Sequence, residues 1–130
     1  MRALIETALG VVTVDLDEDE VVDVEDTGAI EATPVETGLP RIVDADRQGA
    51  VVVAVVDRRP PLLVSGDAGI TWREAGGGLP PGRAVAISPD HPDLILYAGE
   101  RRLFVSTDGG RFWRALVTEL PGITAVAWVE

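Results

Sequence analysis

Apolar residues in this chain come in short runs broken by glycine, proline and aspartate, and no segment sustains the spacing of about 3.6 residues that marks an amphipathic helix. The runs predict strands. Ile42 to Ala45, Val85 to Ser88 and Thr124 to Trp128 read as first strands of successive units, Val51 to Val56 and Leu94 to Ala98 as second strands, and Leu62 to Ser65 and Leu103 to Ser106 as third strands. Ile70 to Ala75 and Phe112 to Leu116 read as fourth strands. An earlier, more polar set follows the same order: Ala3 to Glu6, Val11 to Asp15, Val21 to Val24 and Ala29 to Thr33. Val51 to Val56 is apolar at every position, as a strand covered on both faces requires, whereas the fourth strands alternate apolar and charged side chains. Each unit is therefore expected to be a four-stranded meander, buried within and half wet at its outer edge.

The units repeat in sequence as well as in pattern. Ser65 to Trp72 reads SGDAGITW, and Ser106 to Trp113, one period later, reads STDGGRFW. A further step of the same length toward the N-terminus reaches Val24 to Glu31, VEDTGAIE, which keeps Asp26 and Gly28 but lacks the serine and tryptophan. A second landmark recurs at Leu39-Pro40, Leu79-Pro80 and Leu120-Pro121. Four-stranded units recurring at about 40 residues with a glycine and tryptophan signature are the mark of propeller blades.

The octets resemble the Asp-box, or bacterial neuraminidase repeat, of pattern Ser-x-Asp-x-Gly-x-Thr-Trp. Ser65, Asp67, Gly69, Thr71 and Trp72 fill every defined position; Ser106, Asp108, Gly110 and Trp113 fill the second copy, with Phe112 in place of threonine. The chain thus looks like the repeats of sialidase-like, glucanase, sortilin-like and photosystem II assembly factor-like propellers. The resemblance implies a structural role for the box, on the rim and away from any ligand. In that role Asp67 and Asp108 accept backbone N–H groups in a turn, Gly69 and Gly110 supply unusual backbone angles, and the tryptophans pack across the blade.

The expected fold is an all-β propeller, one domain over 1–130, with repeats at 1–40 (degenerate), 41–81 and 82–121 and a closing strand at 122–130. Closed propellers have about four to eight blades. Three blades are accordingly expected to pair as a homodimer into a six-bladed ring, with the segment Ile123 to Val129 as a clasp that joins the first blade of the partner or replaces its weak N-terminal strand. Two countings of that blade stand: Ala3 to Glu6 innermost, favoured by the repeat register, or the C-terminal strand innermost, favoured by the total of twelve strands.

Composition narrows the function. The net charge is −11 and there is no lysine, which argues against nucleic acid. Residues 1 to 46 carry 13 acids and two arginines, so the whole imbalance lies in the first third, which reads as a solvated acidic face or a docking surface for a basic partner. There is no cysteine, which excludes thiolate metal sites and disulfides and points to a reducing cytoplasm. No apolar run is long enough to span a bilayer, so no membrane role is expected.

The sialidase resemblance would imply an arginine triad, a tyrosine and glutamate nucleophile pair and an acid aspartate, yet Tyr97 is the only tyrosine. His91, the only histidine, lies in a proline and aspartate turn, and the acids Asp15, Asp17, Glu18, Asp19 and Glu20 fit no defined calcium loop. No catalytic residue, metal or cofactor is assigned. Arg58, Arg59, Arg101 and Arg102 form two adjacent pairs at related places in two units and, with Tyr97 and Trp128, are the candidate ligand or partner surface. The expectation is a non-catalytic interaction module of bacterial type that holds a protein or peptide through ring-face loops. The alternative is a carbohydrate-binding or hydrolysing propeller with Tyr97 and Trp128 as aromatic platforms.

Overall fold

A computed structural model of the chain describes residues 1–26, 28–31 and 34–129. Twelve strands and no helix occur among the described residues. They are β1 (Arg2–Thr7), β2 (Gly10–Asp15), β3 (Glu20–Glu25), β4 (Ile42–Gln48), β5 (Val51–Val56), β6 (Leu62–Ser65), β7 (Arg73–Ala75), β8 (Ala84–Ile87), β9 (Ile95–Ala98), β10 (Arg102–Ser106), β11 (Arg114–Glu119) and β12 (Ala125–Trp128). They form three four-stranded sheets: sheet I in the order β12-β1-β2-β3, sheet II in the order β4-β5-β6-β7, and sheet III in the order β8-β9-β10-β11. All pairings are antiparallel. The protein is all-β, and the arrangement is consistent with a small propeller-like fold.

Sheet III lies in the middle. One of its faces, carrying Val85, Ile87, Ile95 and Tyr97, packs on Val53, Val55, Leu62 and Val64 of sheet II. The opposite face, with Ala86, Leu96, Leu103 and Val105, packs on Ala3, Ile5, Val12 and Val14 of sheet I. That double cover explains why β8 and β9 are buried at every residue and why they carry no charged side chain: each fully buried Val, Leu or Ile side chain contributes about 1.5–3 kcal/mol of transfer free energy. The inner strands β4 and β8 run beside one another, as do β8 and β12, while the described strands of sheets I and II make no comparable contact.

The favoured register for the first sheet is corrected. β1 lies one period before β4, so the repeat makes it an innermost strand, yet it is second in its sheet and β12 lies inside it. The Ala3–Trp128, Leu4–Ala127, Ile5–Val126 and Glu6–Ala125 pairs form that ladder. β12 is apolar and brings the buried Ile123 and Val126 into the core shared with sheet III. The expected fourth strand over 29–33 is absent at Ala29, Ile30 and Glu31; Ala32 and Thr33 lie outside the described residues, as do Thr27 of the degenerate octet and Glu130 of the closing strand. Residues 28–31 instead cross the face of sheet I beside Leu4, Val11, Thr13 and Glu25, where the Ile30 N–H donates to Glu6 Oε1 at 3.1 Å. From Pro34 to Leu39 the chain runs on with no strand pairing until β4 begins. No helix among the described residues is long and apolar enough to cross a membrane.

Candidate functional site

The two full octets build the same hydrogen-bonded turn. Ser65 Oγ donates to Asp67 Oδ1 at 2.7 Å and accepts the Gly69 N–H at 2.8 Å; the Thr71 N–H and hydroxyl donate to the two Asp67 carboxylate oxygens at 2.8 and 2.5 Å. Thr71, then Ser65, hold the Asp67 carboxyl down at about 2. In the second octet the Ser106 hydroxyl donates to Asp108 at 2.8 Å and accepts the Gly110 N–H, while the Phe112 and Arg111 N–H groups donate to Asp108. The Phe112 N–H, followed by the Ser106 hydroxyl, lowers the Asp108 carboxyl. Gly69 and Gly110 have φ of +88° and +92° and sit against the rings of Trp72 and Trp113, so a side chain there would be strained in backbone even though a Cβ would meet the rings only in ordinary contact. Trp113 donates its indole N–H to Gly110 O at 3.0 Å and meets Tyr97 edge-on. Asp26 builds no such turn among the described residues, although Gly28 keeps φ of +120°.

The residue after each octet tryptophan joins neighbouring sheets. Arg73 Nη2 donates to Gly109 O in the octet turn of sheet III at 2.5 Å. Arg114, at the equivalent place in the next unit, donates to Leu16 O in the β2–β3 turn of sheet I at 2.8 Å. Burial, and then the nearby Arg111, lower the Arg73 guanidinium from its usual range. The repeat itself carried the signal for this pair, since both arginines follow the octet directly.

The acidic cluster at Asp15 to Glu20 is largely occupied. Asp15 accepts the N–H groups of Asp17 and Glu18, the Glu18 bond being the chief cause of its lowered carboxyl. Asp17 pairs with the Met1 amine. Asp19 accepts the Val117 and Thr118 N–H groups on the outer edge of β11 at 2.5 and 3.0 Å. Burial pushes the Asp19 carboxyl up, but these bonds outweigh it and the net direction is down. Among the described residues no group of three His, Cys, Asp or Glu side chains is placed to hold a metal ion.

The inner strands converge on one open groove of about 920 Å³, lined by Ile30, Glu31 and Pro34 to Glu36 together with parts of β4, β8 and β12. Here the free edge of β8 is capped from both sides: the Val85 and Ile87 N–H groups donate to Asp44 Oδ2 and Asp46 Oδ2 at 3.0 and 2.7 Å, and the Trp128 indole donates to Ala86 O at 3.0 Å. Burial raises both carboxyls above the ordinary range despite these bonds, and for Asp44 the neighbouring Asp46 adds to the rise. Sequence reasoning missed this pair because an Asp-x-Asp in an apolar run reads as an exposed strand end.

The candidate surface does not assemble as one patch. Arg58 and Arg59 line a separate cavity of about 250 Å³ with Val43, Val56 and Pro61. Arg101 is exposed, and Arg102 pairs with Glu119 at 3.1 Å within sheet III. Tyr97 is no platform: it is 0% exposed and its hydroxyl donates to Pro80 O at 2.6 Å, with burial raising its phenol. Trp128 does reach the groove, yet its N–H is committed to β8. His91 is exposed in a turn, where its carbonyl accepts the Leu94 N–H. Neither a scan against protein-family models nor a search of curated proteins returned a match.

Proposed function

We propose that the chain is a non-catalytic interaction module of Asp-box propeller type, which joins a second copy in a six-bladed ring and holds a protein or peptide at the ring's inner strands and adjoining loops. The observation that carries this reading is the convergence of β4, β8 and β12 on one wide groove, left open at the seam between sheets I and II. Protein segments suit such a groove because it mixes apolar walls with Asp44, Asp46, Arg47 and Gln48. A lone ring of three blades falls below the usual range of about four to eight.

Exchange of β1–β3 between two copies, hinged in residues 34–41, would keep the ladder from β1 to β12 and place each first sheet next to its own sheet II. Pro34, Gly38 and Pro40 within the hinge disfavour regular pairing there. Light-scattering mass tests the reading: twice the 13.8 kDa of the chain at micromolar concentration is expected. A monomer would overturn the ring, and turnover of glycoside or ester substrates abolished by groove substitutions would overturn the non-catalytic role.

A further inference from the structure

The outer edges of the three sheets are not alike. In sheet II the last strand, β7, is three residues long, and in sheet III the outer edge of β11 is capped by Asp19. Sheet I ends on the six-residue β3, exposed at every position, and no described residue pairs with its outer edge.

The repeat explains why. β3 lies one period before 61–66 and two periods before 102–107, the positions of β6 and β10, both of which are third strands covered by a fourth. In sheet I, β12 has moved every strand one place outward, and the segment that should follow as the fourth strand is unsuited to it. By the register of β6 with β7, Pro34, which has no N–H, falls opposite Val21. Residues 26–40 also carry Asp26, Glu31 and Glu36 and no basic residue, so they would set acid against acid.

The two faces of β3 differ in chemistry. Glu20, Asp23 and Glu25 pair with Asp15, Thr13 and Val11, so the irregularity near Val22 leaves all three acids on one face. Val21 and Val24 pair with Val14 and Val12, which are core residues, yet they remain 40% and 50% exposed. At the place of Glu20, sheet III has Arg102, joined across the strands to Glu119 at 3.1 Å. The missing partner of β3 should therefore be cationic where sheet III's is anionic, and apolar at alternate positions.

We propose that the outer edge of β3 binds an extended basic segment of another protein by strand addition, with Lys or Arg side chains against Glu20, Asp23 and Glu25 and apolar side chains over Val21 and Val24. A second copy is disfavoured as occupant, because β3 against β3 brings these acids together. This edge is distinct from the inner groove and does not depend on ring closure.

The test uses the whole chain and three labelled nine-residue probes: alternating lysine and valine, the same with glutamate for lysine, and the basic one N-methylated along a single edge. Anisotropy titration should find the basic probe bound, with at least a tenfold loss on N-methylation and at least a tenfold loss for the triple variant Glu20→Lys, Asp23→Lys, Glu25→Lys. Hydrogen exchange should slow at residues 20–25. Circular dichroism of the exposed-site variant checks its fold, and the glutamate probe should gain on it. Equal binding of the N-methylated probe would mean diffuse charge attraction and overturn strand addition; equal binding of the acidic probe to the native chain, or protection confined to the inner groove, would also overturn it. If the triple variant changed the chain's mass, β3 would be a self-interface and the proposal would fail, whereas a monomeric native chain that still bound the basic probe would sink the ring alone.

Discussion

Sheets I and III are built from related sequence and end in opposite circumstances. Sheet III is covered on both faces, its inner edge is capped by Asp44, Asp46 and Trp128, and its outer edge by Asp19. Sheet I has one face on that core and the other on residues 28–31, and no described residue pairs with the outer edge of its last strand. Strand role therefore follows from what covers a strand rather than from its place in the repeat. β1 has the register of an inner strand and becomes a second strand because the apolar β12 fits inside it while the acidic, proline-bearing segment after β3 does not fit outside.

If that contrast is right, truncation should cost far more in sheet III than on the half-covered outer face of sheet I. Leu96→Ala, at a fully buried position shared with sheet I, is expected to lose about 2–5 kcal/mol by urea denaturation. Leu4→Ala, on the half-buried outer face, should lose under about 1 kcal/mol. Equal losses would mean that the outer face of sheet I is covered as fully as the face on the core.

The seam between sheets II and III sharpens the point. A Cβ at Gly82 would collide with the Tyr97 hydroxyl and lie 2.6 Å from Val55. Gly82→Ala should accordingly cost about 1–3 kcal/mol. Gly66→Ala meets open space and should change the melting temperature little. A tolerated Gly82→Ala would show that Tyr97 is not fixed in this seam.

Acid titration separates octet from groove. The folded pKa of Asp67 is depressed, so its contribution is present above the unfolded value and is lost as pH falls through about 2. Asp67→Asn should flatten stability between about pH 4 and 2. For Asp46 the folded pKa is raised, so ionisation in the folded protein disfavours the fold, and lowering the pH from neutral through that pKa adds stability. Asp46→Asn keeps an acceptor for Ile87 and should remove that pH dependence without loss at pH 7. A fall in stability on this change would mean that the negative charge itself is required.

Much of this was legible in the residues. Val51 to Val56 and Leu62 to Ser65 occur as strands with the expected bounds, because apolar runs between Gly, Pro and Asp leave little choice of length. The octet turns were legible for the same reason: a short carboxylate and a glycine at fixed spacing suit one local geometry. What escaped the pattern were contacts between units, such as Asp19 with β11 and Asp44 with β8, since periodicity reports what repeats and these two seams are different. Tyr97 was misjudged as a surface because an aromatic side chain in an apolar run has no outward face when its sheet is packed on both sides.

The position of β12 inside β1 decides how the chain closes, and the absence of cysteine makes that position directly measurable. Leu4 and Ala127 are opposite one another in this ladder, at a separation of about 5.5 Å that a disulfide can bridge. Oxidation of the Leu4→Cys, Ala127→Cys variant, followed by non-reducing electrophoresis, should give a covalent dimer if two copies exchange β1–β3. A quantitative crosslink within one chain would keep the ladder and contradict the exchange, and failure to crosslink at all would contradict the placement of β12 itself.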